Sequence, residues 1–250
     1  MNVLDLFSGI GGFSLGLERA GMRTVAFCEI EEYPRSVLAH HWPSVPAYND
    51  VRELTAARLA ADGIGVDVIC GGFPCQDISL AGYGKGLEGE PSGLWREFAR
   101  LVGDLRPRYV IVENVAALNF RGLLDVLADL AEAGFDAEWH CIPACYLGAW
   151  HGRDRTWILA YPIGQLEKCG CEAPVLRQPH LSLELSRGFA EWPGRSNLPE
   201  SRFHRGSDGV PYWMDRVAAC GNAVVPQVPE IIGRAIMSIE RHQYVHGEGG

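Results

Sequence analysis

Short apolar runs alternate along the chain with stretches in which apolar residues return every three or four positions. Val3-Leu4-Asp5-Leu6-Phe7, Thr24-Val25-Ala26-Phe27-Cys28, Val68-Ile69-Cys70 and Tyr109-Val110-Ile111-Val112 are runs of the first kind. The pattern predicts strands near 2–7, 24–29, 47–51, 66–71, 108–113, 135–142 and 155–160. It predicts helices near 11–20, 33–41, 53–61, 92–104, 121–132 and 226–240. Alternation of this kind implies an α/β fold with a mostly parallel sheet covered on both faces.

In open α/β sheets ligands bind beyond the carboxyl ends of the strands, so the residues that end each run matter most. The first run leads into Ser8-Gly9-Ile10-Gly11-Gly12-Phe13-Ser14-Leu15-Gly16, a glycine-rich turn opening a helix. Glycines there allow close backbone approach to a ligand and unusual φ angles. The spacing is not Gly-x-Gly-x-x-Gly, which counts against a nicotinamide dinucleotide. The second run ends in Glu29, about 20 residues on, where a ribose-binding acid falls in dinucleotide folds. A solvated carboxylate of the Glu29, Glu31, Glu32 cluster explains it equally well.

After the fourth run comes Gly71-Gly72-Phe73-Pro74-Cys75-Gln76. A thiol near the N-terminal end of a turn or helix feels backbone N–H groups and a positive dipole end, which lower its pKa. The competing reading of Cys75 is a small buried hydrophobe. The fifth run repeats the arrangement with a carboxylate, Glu113, at its end. Cys75 and Glu113 facing one pocket would perform covalent chemistry assisted by an acid.

These segments also carry a resemblance. Asp5-Leu6-Phe7-Ser8-Gly9-Ile10-Gly11-Gly12, Phe73-Pro74-Cys75-Gln76, Glu113-Asn114-Val115, Arg153-Asp154-Arg155 and Gly221-Asn222-Ala223-Val224, in that order, are similar to the motifs of the DNA cytosine-5 methyltransferases, over residues 2–160 and 214–240. The resemblance implies a Rossmann-like S-adenosylmethionine-dependent methyltransferase fold with a small inserted DNA-recognition domain. It places the catalytic domain at 1–160 plus 214–245, the recognition region at 161–213 and a flexible tail at 246–250.

Carried over by position, the resemblance makes Phe7 the aromatic that stacks on adenine, Glu29 the ribose ligand and Asp50 the adenine-amino acceptor. Ser8, Gly9, Gly11, Gly12, Ile30, Val51, Gly72, Pro74 and Leu94 complete the cofactor site, with Asn222 and Ala223 returning to close it. Ala223 stands where many relatives have serine. S-adenosylhomocysteine is the implied product. Cys75 attacks C6 of cytosine, because C5 is a poor nucleophile until the ring is activated. Glu113 serves N3 and the exocyclic amine and must spend time protonated, for which a closed, partly apolar pocket is expected.

Arg153 and Arg155 are expected to clamp the base, the thiolate or a phosphate; a solvated pair flanking Asp154 is the competing reading. Trp150 and His151-Gly152 depart from the glutamine and proline that relatives often carry. A stacked target must be turned out of the duplex. Gln76 and Ser79 are expected at the DNA backbone or in the space the base leaves, and 80–89, with four glycines, is a candidate closing loop. Arg216 resembles an arginine that braces the recognition domain.

The 250 residues are 47% hydrophobic, enough for a substantial core. No apolar stretch is long enough to cross a bilayer and no signal segment opens the chain, so a cytoplasmic protein of a prokaryotic or phage-infected cell is expected. Eight cysteines at spacings such as Cys169-x-Cys171 and Cys141-x-x-x-Cys145 do not form a standard zinc pattern. The thiols are expected reduced and no metal is expected.

A net charge of −9 makes the whole chain a poor general attractor for nucleic acid. From Tyr161 to Arg216, however, seven basic residues balance seven acidic ones. There Arg202-Phe203-His204-Arg205 is the best candidate for DNA contact, against the reading of a solvated loop. The expected partner is duplex DNA, the expected state a monomer, and a cognate restriction endonuclease is an expected companion. The rival readings are an RNA cytosine-5 methyltransferase and a catalytically silent S-adenosylmethionine-binding regulator.

Overall fold

The computed structural model of the chain describes residues 1–74, 93–144, 154–168, 175 and 223–246. Its centre is a seven-stranded sheet in the order β3-β2-β1-β4-β5-β7-β6. The strands are β1 (Asn2–Leu6), β2 (Arg23–Cys28), β3 (Ala47–Tyr48), β4 (Val68–Gly71), β5 (Tyr109–Val115), β6 (Phe135–Pro143) and β7 (Asp154–Pro162). The first five run parallel, and β7 lies antiparallel to both β5 and β6. Strand order reverses between β1 and β4, and the crevice at such a reversal is where doubly wound sheets bind ligands.

Helices cover both faces, as the alternation requires. On one face lie α3 (Ala56–Ala61), α4 (Gly93–Leu105), α5 (Leu118–Arg121) and α6 (Leu123–Glu132), packed on Leu4, Leu6, Ile69, Val110 and Val112. On the other lie α1 (Gly12–Arg19) and the C-terminal α8 (Gln227–His246), packed on Val3, Val68, Cys70, Tyr109 and Ile111. Each strand therefore divides its side chains by the two-residue alternation of a pleated strand, and both sets are apolar because both faces are covered. The helix α2 (Glu32–His41) and the short α7 (Gln165–Lys168) complete the described elements.

The helices follow from their sequences. Trp95, Phe98, Leu101 and Val102 recur at three- and four-residue steps, so α4 buries one stripe. Trp95 also donates its indole N–H to Asp129 of α6 at 2.7 Å, satisfying a buried polar group that would otherwise cost stability. Thr55 caps α3 by accepting the Arg58 N–H at 3.1 Å. In α8 the apolar residues Val228, Ile232, Ala235, Ile236 and Ile239 face the sheet, and Glu240 accepts the Tyr109 hydroxyl at 2.9 Å while pairing with Arg108.

Several element boundaries differ from the sequence reading. The helix α3 starts at Ala56 rather than 53, and α8 runs to His246 rather than 240. The strand expected over 47–51 is only Ala47–Tyr48, because Asp50 turns the chain and binds Arg52. The helix expected over 121–132 is two, α5 and α6, joined at Gly122, whose φ of −171° is extended rather than helical. β7 continues through Tyr161, which is buried, to Pro162, and α7 follows it inside the stretch expected for DNA recognition.

Candidate active site at the carboxyl ends of β1, β4 and β5

The first strand ends in a strained turn. Phe7 has φ 53°, a left-handed conformation that costs a non-glycine residue roughly 1 kcal/mol or more and is found where ligand sites over-determine the backbone. Ser8 holds the turn in place: its hydroxyl donates to the Asp5 carbonyl at 2.6 Å and its N–H to the Cys28 carbonyl at 3.2 Å. Gly9 follows at φ 52°, and a Cβ there would meet nothing within 4 Å, so this backbone opens onto free space.

The other glycines of the turn are also fixed by packing, and Gly11 has the positive φ expected of the turn, at 87°. A Cβ on Gly11 would lie 2.6 Å from the Trp42 ring, one on Gly12 2.4 Å from the Val224 carbonyl oxygen, and one on Gly16 2.2 Å from the Pro226 carbonyl oxygen. They are small so that α2 and the segment returning before α8 can approach α1. That approach seats Ala223–Val225 beside the carboxyl ends of the strands.

Glu29 ends β2 and faces the turn. Its Oε2 accepts the Gly9 N–H at 2.7 Å and its Oε1 the Glu31 N–H at 2.8 Å. Next to it Ile30 is 57% exposed, unusual for isoleucine. Asp50 is held by Arg52, with Nε 2.9 Å from Oδ1 and Nη2 2.6 Å from Oδ2, and these bonds keep its carboxyl below the usual carboxylate range. Val51 is buried in the core, and Phe7 and Leu94 pack partly buried against the same cluster. Together these residues set an aromatic, an exposed aliphatic and two carboxylates near the carboxyl ends of β1 and β2. This set fits an adenosine-bearing cofactor: the rings can take apolar and aromatic faces, and a diol and an amine can take the acids.

Beneath this turn Asp5 is wholly buried. Ser14 of α1 donates its hydroxyl to Asp5 Oδ2 at 2.7 Å, and Oδ1 has no hydrogen-bond partner. Burial pushes the carboxyl up to about 7, the Ser14 bond working against the rise and the neighbouring Glu29 adding to it.

At the end of β5 the two-residue alternation sends its residues to opposite faces. Glu113 continues the stripe of Tyr109 and Ile111 toward the α8 side. There Arg155, reaching diagonally from β7, places Nε 2.8 Å from Glu113 Oε1. The pair lies in a small cleft whose other walls include Ile142, Trp157, Ala223, Val224 and Val228. The partly apolar pocket expected for Glu113 is present, with a cation inside it. A Cβ on Gly72 would lie 2.7 Å from Glu113 Oε2, so the end of β4 must be glycine for the carboxylate to sit where it does.

Asn114 points to the opposite face. Its side-chain amide donates to the Phe73 carbonyl at 3.1 Å, and its Oδ1 accepts the Val115 N–H at 2.8 Å. It thus ties β5 to the Phe73-Pro74 segment that leads to the nucleophile candidate. This role was missed in the sequence, although Asn114 stands in the quoted Glu113-Asn114-Val115. Asp5 and Ser14 were missed similarly, since neither contacts open space.

Of the residues expected at the site, the fold brings together Phe7, Ser8, Gly9, Glu29, Ile30, Asp50, Gly72, Pro74, Leu94, Glu113, Arg155 and Ala223 at the carboxyl side of the sheet. Cys75, Gln76, Ser79, the 80–89 loop, Arg153, Arg202, Arg205, Arg216 and Asn222 lie outside the described residues. Cys28 and Cys70 are free and buried, and Cys141 is free and exposed. A wider hollow runs along the amino ends of β1 and β2, lined by Asn2, Arg23 and Thr24. It is at the wrong end of the strands to join this chemistry.

A mostly parallel α/β sheet with an antiparallel β7-β6 end and a glycine turn at the β1/β4 switch point defines the S-adenosylmethionine-dependent methyltransferase fold. The family model for C-5 cytosine-specific DNA methylase matches residues 1–183, and the chain belongs to that family.

Among similar proteins, Type II methyltransferase M2.BsuMI of Bacillus subtilis (strain 168) is 33% identical over 168 residues, covering 64% of this chain and 42% of that protein. Type II methyltransferase M.CviJI of Paramecium bursaria Chlorella virus IL3A is 36% identical over 159 residues, covering 63% and 42%. A crystal structure of a DNA modification methyltransferase encoded within an E. coli prophage superposes with a TM-score of 0.56 at 28% identity, over 65% of this chain and 47% of that one. The matched region spans less than half the length of these relatives. Among the described residues no helix is long and apolar enough to cross a membrane.

Proposed function

We propose that the protein methylates C5 of cytosine in a specific duplex DNA sequence, with S-adenosylmethionine as methyl donor. The observation that carries the reading is the Glu113–Arg155 pair at 2.8 Å, in a small cleft at the end of the strand next to the one that leads into Phe73-Pro74-Cys75. Phe7, Gly9, Glu29, Ile30, Asp50 and Leu94 would hold the cofactor, with Asn222 and Ala223 closing the site. When bound, the cofactor supplies an electrophilic methyl group.

The protein's own residues do the rest. The Cys75 thiolate bonds to C6 of the extruded base, moving electron density toward C5. Glu113 gives a proton to N3, so the ring does not carry the negative charge. Arg155 holds one Glu113 oxygen and fixes the direction of the other, while Gly72 leaves room for it. Asn114 sets the start of the Cys75 loop by holding the Phe73 carbonyl. Once C5 carries the methyl group, a base removes the C5 proton, the thiolate leaves C6 as the double bond re-forms, and N3 returns its proton to Glu113. Arg153 assists Arg155 in clamping the base or a phosphate. Gln76, Ser79, Arg202 and Arg205 contact the DNA, the last two from the recognition region.

The protein acts as a monomer in a prokaryotic or phage-infected cytoplasm, and a restriction endonuclease of the same sequence specificity is its companion. Transfer of tritiated methyl groups to duplex DNA and to transfer RNA in competition tests the substrate, and bisulfite sequencing of the labelled DNA gives the base and its context. Label in duplex DNA at cytosine, in one short sequence, supports the reading. Label in transfer RNA alone would assign the polymer otherwise.

A further inference from the structure

The mechanism above leaves Asp5 without a task, and it is the most unusual group in the fold: a carboxyl with no exposure, at the end of the central strand, directly under the turn that would carry the cofactor. Two bonds from this one residue fix the two ends of that turn. Its main-chain carbonyl holds the Ser8 hydroxyl at 2.6 Å, and its side chain holds the Ser14 hydroxyl at 2.7 Å. Its second oxygen, Oδ1, has no close hydrogen-bond partner, and beyond the Ser14 hydroxyl the only donors that bear on the carboxyl are the Ser14 N–H and the Cys70 thiol, a weak one. A buried orphan acceptor is costly in its ionised form, and the nearby charges add to that cost.

The groups facing it among the described residues are few. The Ser14 hydroxyl comes from α1, and the Cys70 thiol from β4, itself pushed up by burial and therefore neutral. The Glu29 carboxylate comes from the end of β2, whose Phe27 opposite Asp5 carries no charge. No cation is among them. The missing positive charge is what a sulfonium donor brings to this end of the sheet.

We propose that Asp5 is a positioning residue that holds the Phe7–Phe13 turn from below and gives up a proton to solvent when a sulfonium cofactor binds, so that the site prefers the cationic donor to its neutral thioether product. The inference rests on the cofactor reading of the preceding subsection. Protonated Asp5 and free cation become ionised Asp5, bound cation and one released proton. Affinity for S-adenosylmethionine then rises with pH, by up to about tenfold per unit below the Asp5 midpoint, and levels off above it. S-adenosylhomocysteine keeps the adenosine and amino-acid groups of the donor but lacks the methyl and the positive sulfur, so its affinity lacks the Asp5 component of this curve.

Isothermal titration of both ligands into the full chain, from pH 6 to 8.5 in buffers of different ionisation enthalpy, counts the protons directly. The expected result is release approaching one proton per S-adenosylmethionine at the acid end, less for S-adenosylhomocysteine, and no difference between the two in Asp5→Asn. Ser14→Ala removes the tie while keeping the carboxyl; it should weaken both ligands and retain the difference in proton release. Equal proton release for the two ligands in the unsubstituted protein overturns the proposal even if Asp5→Asn does not fold. Failure of both ligands to bind at any pH would instead overturn the cofactor reading, and this inference with it.

Discussion

Alanine in place of Gly16 should destabilise the protein, although the same substitution in an unobstructed helix stabilises one. In a helix interior Gly→Ala is favourable by about 1 kcal/mol. At Gly16 the added carbon would lie 2.2 Å from the Pro226 carbonyl oxygen, 2.7 Å from Pro229 Cγ and 2.9 Å from the Glu230 nitrogen. A carbon and a carbonyl oxygen need about 3.3 Å, so α1 and the start of α8 must separate by about 1 Å. The obstacle is backbone, and Pro226 is itself fixed because its carbonyl accepts the Glu230 N–H at 3.1 Å. Overpacking of this kind costs about 3 kcal/mol, which leaves a net loss of about 2 kcal/mol.

Gly103 of α4 supplies the control, since a Cβ there meets nothing within 4 Å, and its alanine variant should gain about 1 kcal/mol. Urea unfolding of both variants, compared at equal m, reads the two signs. A Gly16→Ala protein as stable as Gly103→Ala would refute the close contact between α1 and α8. It would also remove the reason for placing Ala223–Val225 against Glu113.

Three further perturbations read the site. Gly72→Ala pushes only the Glu113 carboxylate, a side-chain end that can swing, so stability should change by less than about 1 kcal/mol; methylation should fall on the order of 100-fold, and unchanged turnover would show that the carboxylate's position is unimportant. Glu113→Gln keeps the shape but removes the proton donor, and single-turnover methylation should drop by about 10² to 10⁴ while cofactor binding persists. Asp5 keeps its proton to about pH 7 in the folded chain, against 3.8 without burial, so between these values the unfolded state binds fewer protons and stability falls as pH rises. The slope is about 1.4 kcal/mol per unit and flattens above 7; Asp5→Asn should remove this component, and parallel stability curves for the two proteins from pH 4.5 to 7.5 would contradict it.

The parallel part of the fold was legible because strands buried on both faces are short, continuous apolar runs, which nothing else in the chain imitates. Tyr109–Val112 and Val68–Cys70 are examples. The resemblance located Glu113 and Arg155 one by one. That the two form an ion pair follows only from the antiparallel register of β5 and β7, which sets Arg155 opposite Val115 and diagonal to Glu113. Glycine was the residue read least well. Gly9 and Gly11 have the unusual φ expected of the turn and Gly9 opens onto free space, whereas Gly11, Gly12 and Gly16 are also small for the sake of Trp42, Val224 and Pro226, partners that distant chain segments bring in. Asp5 was hidden for the opposite reason: a carboxyl in an apolar run looks like a strand-end ligand, and only its complete burial against Ser14 reveals a group that acts through the backbone above it.

Covalent attack by Cys75 is tested most directly with duplex DNA carrying 5-fluorocytosine in place of the target base, where no C5 proton can be lost. Incubated with S-adenosylmethionine, the protein should form an adduct stable to denaturation, and mass spectrometry of the digested adduct should find the modified base on Cys75. A preparation that methylates ordinary DNA yet yields no adduct, or an adduct on another residue, would contradict the account.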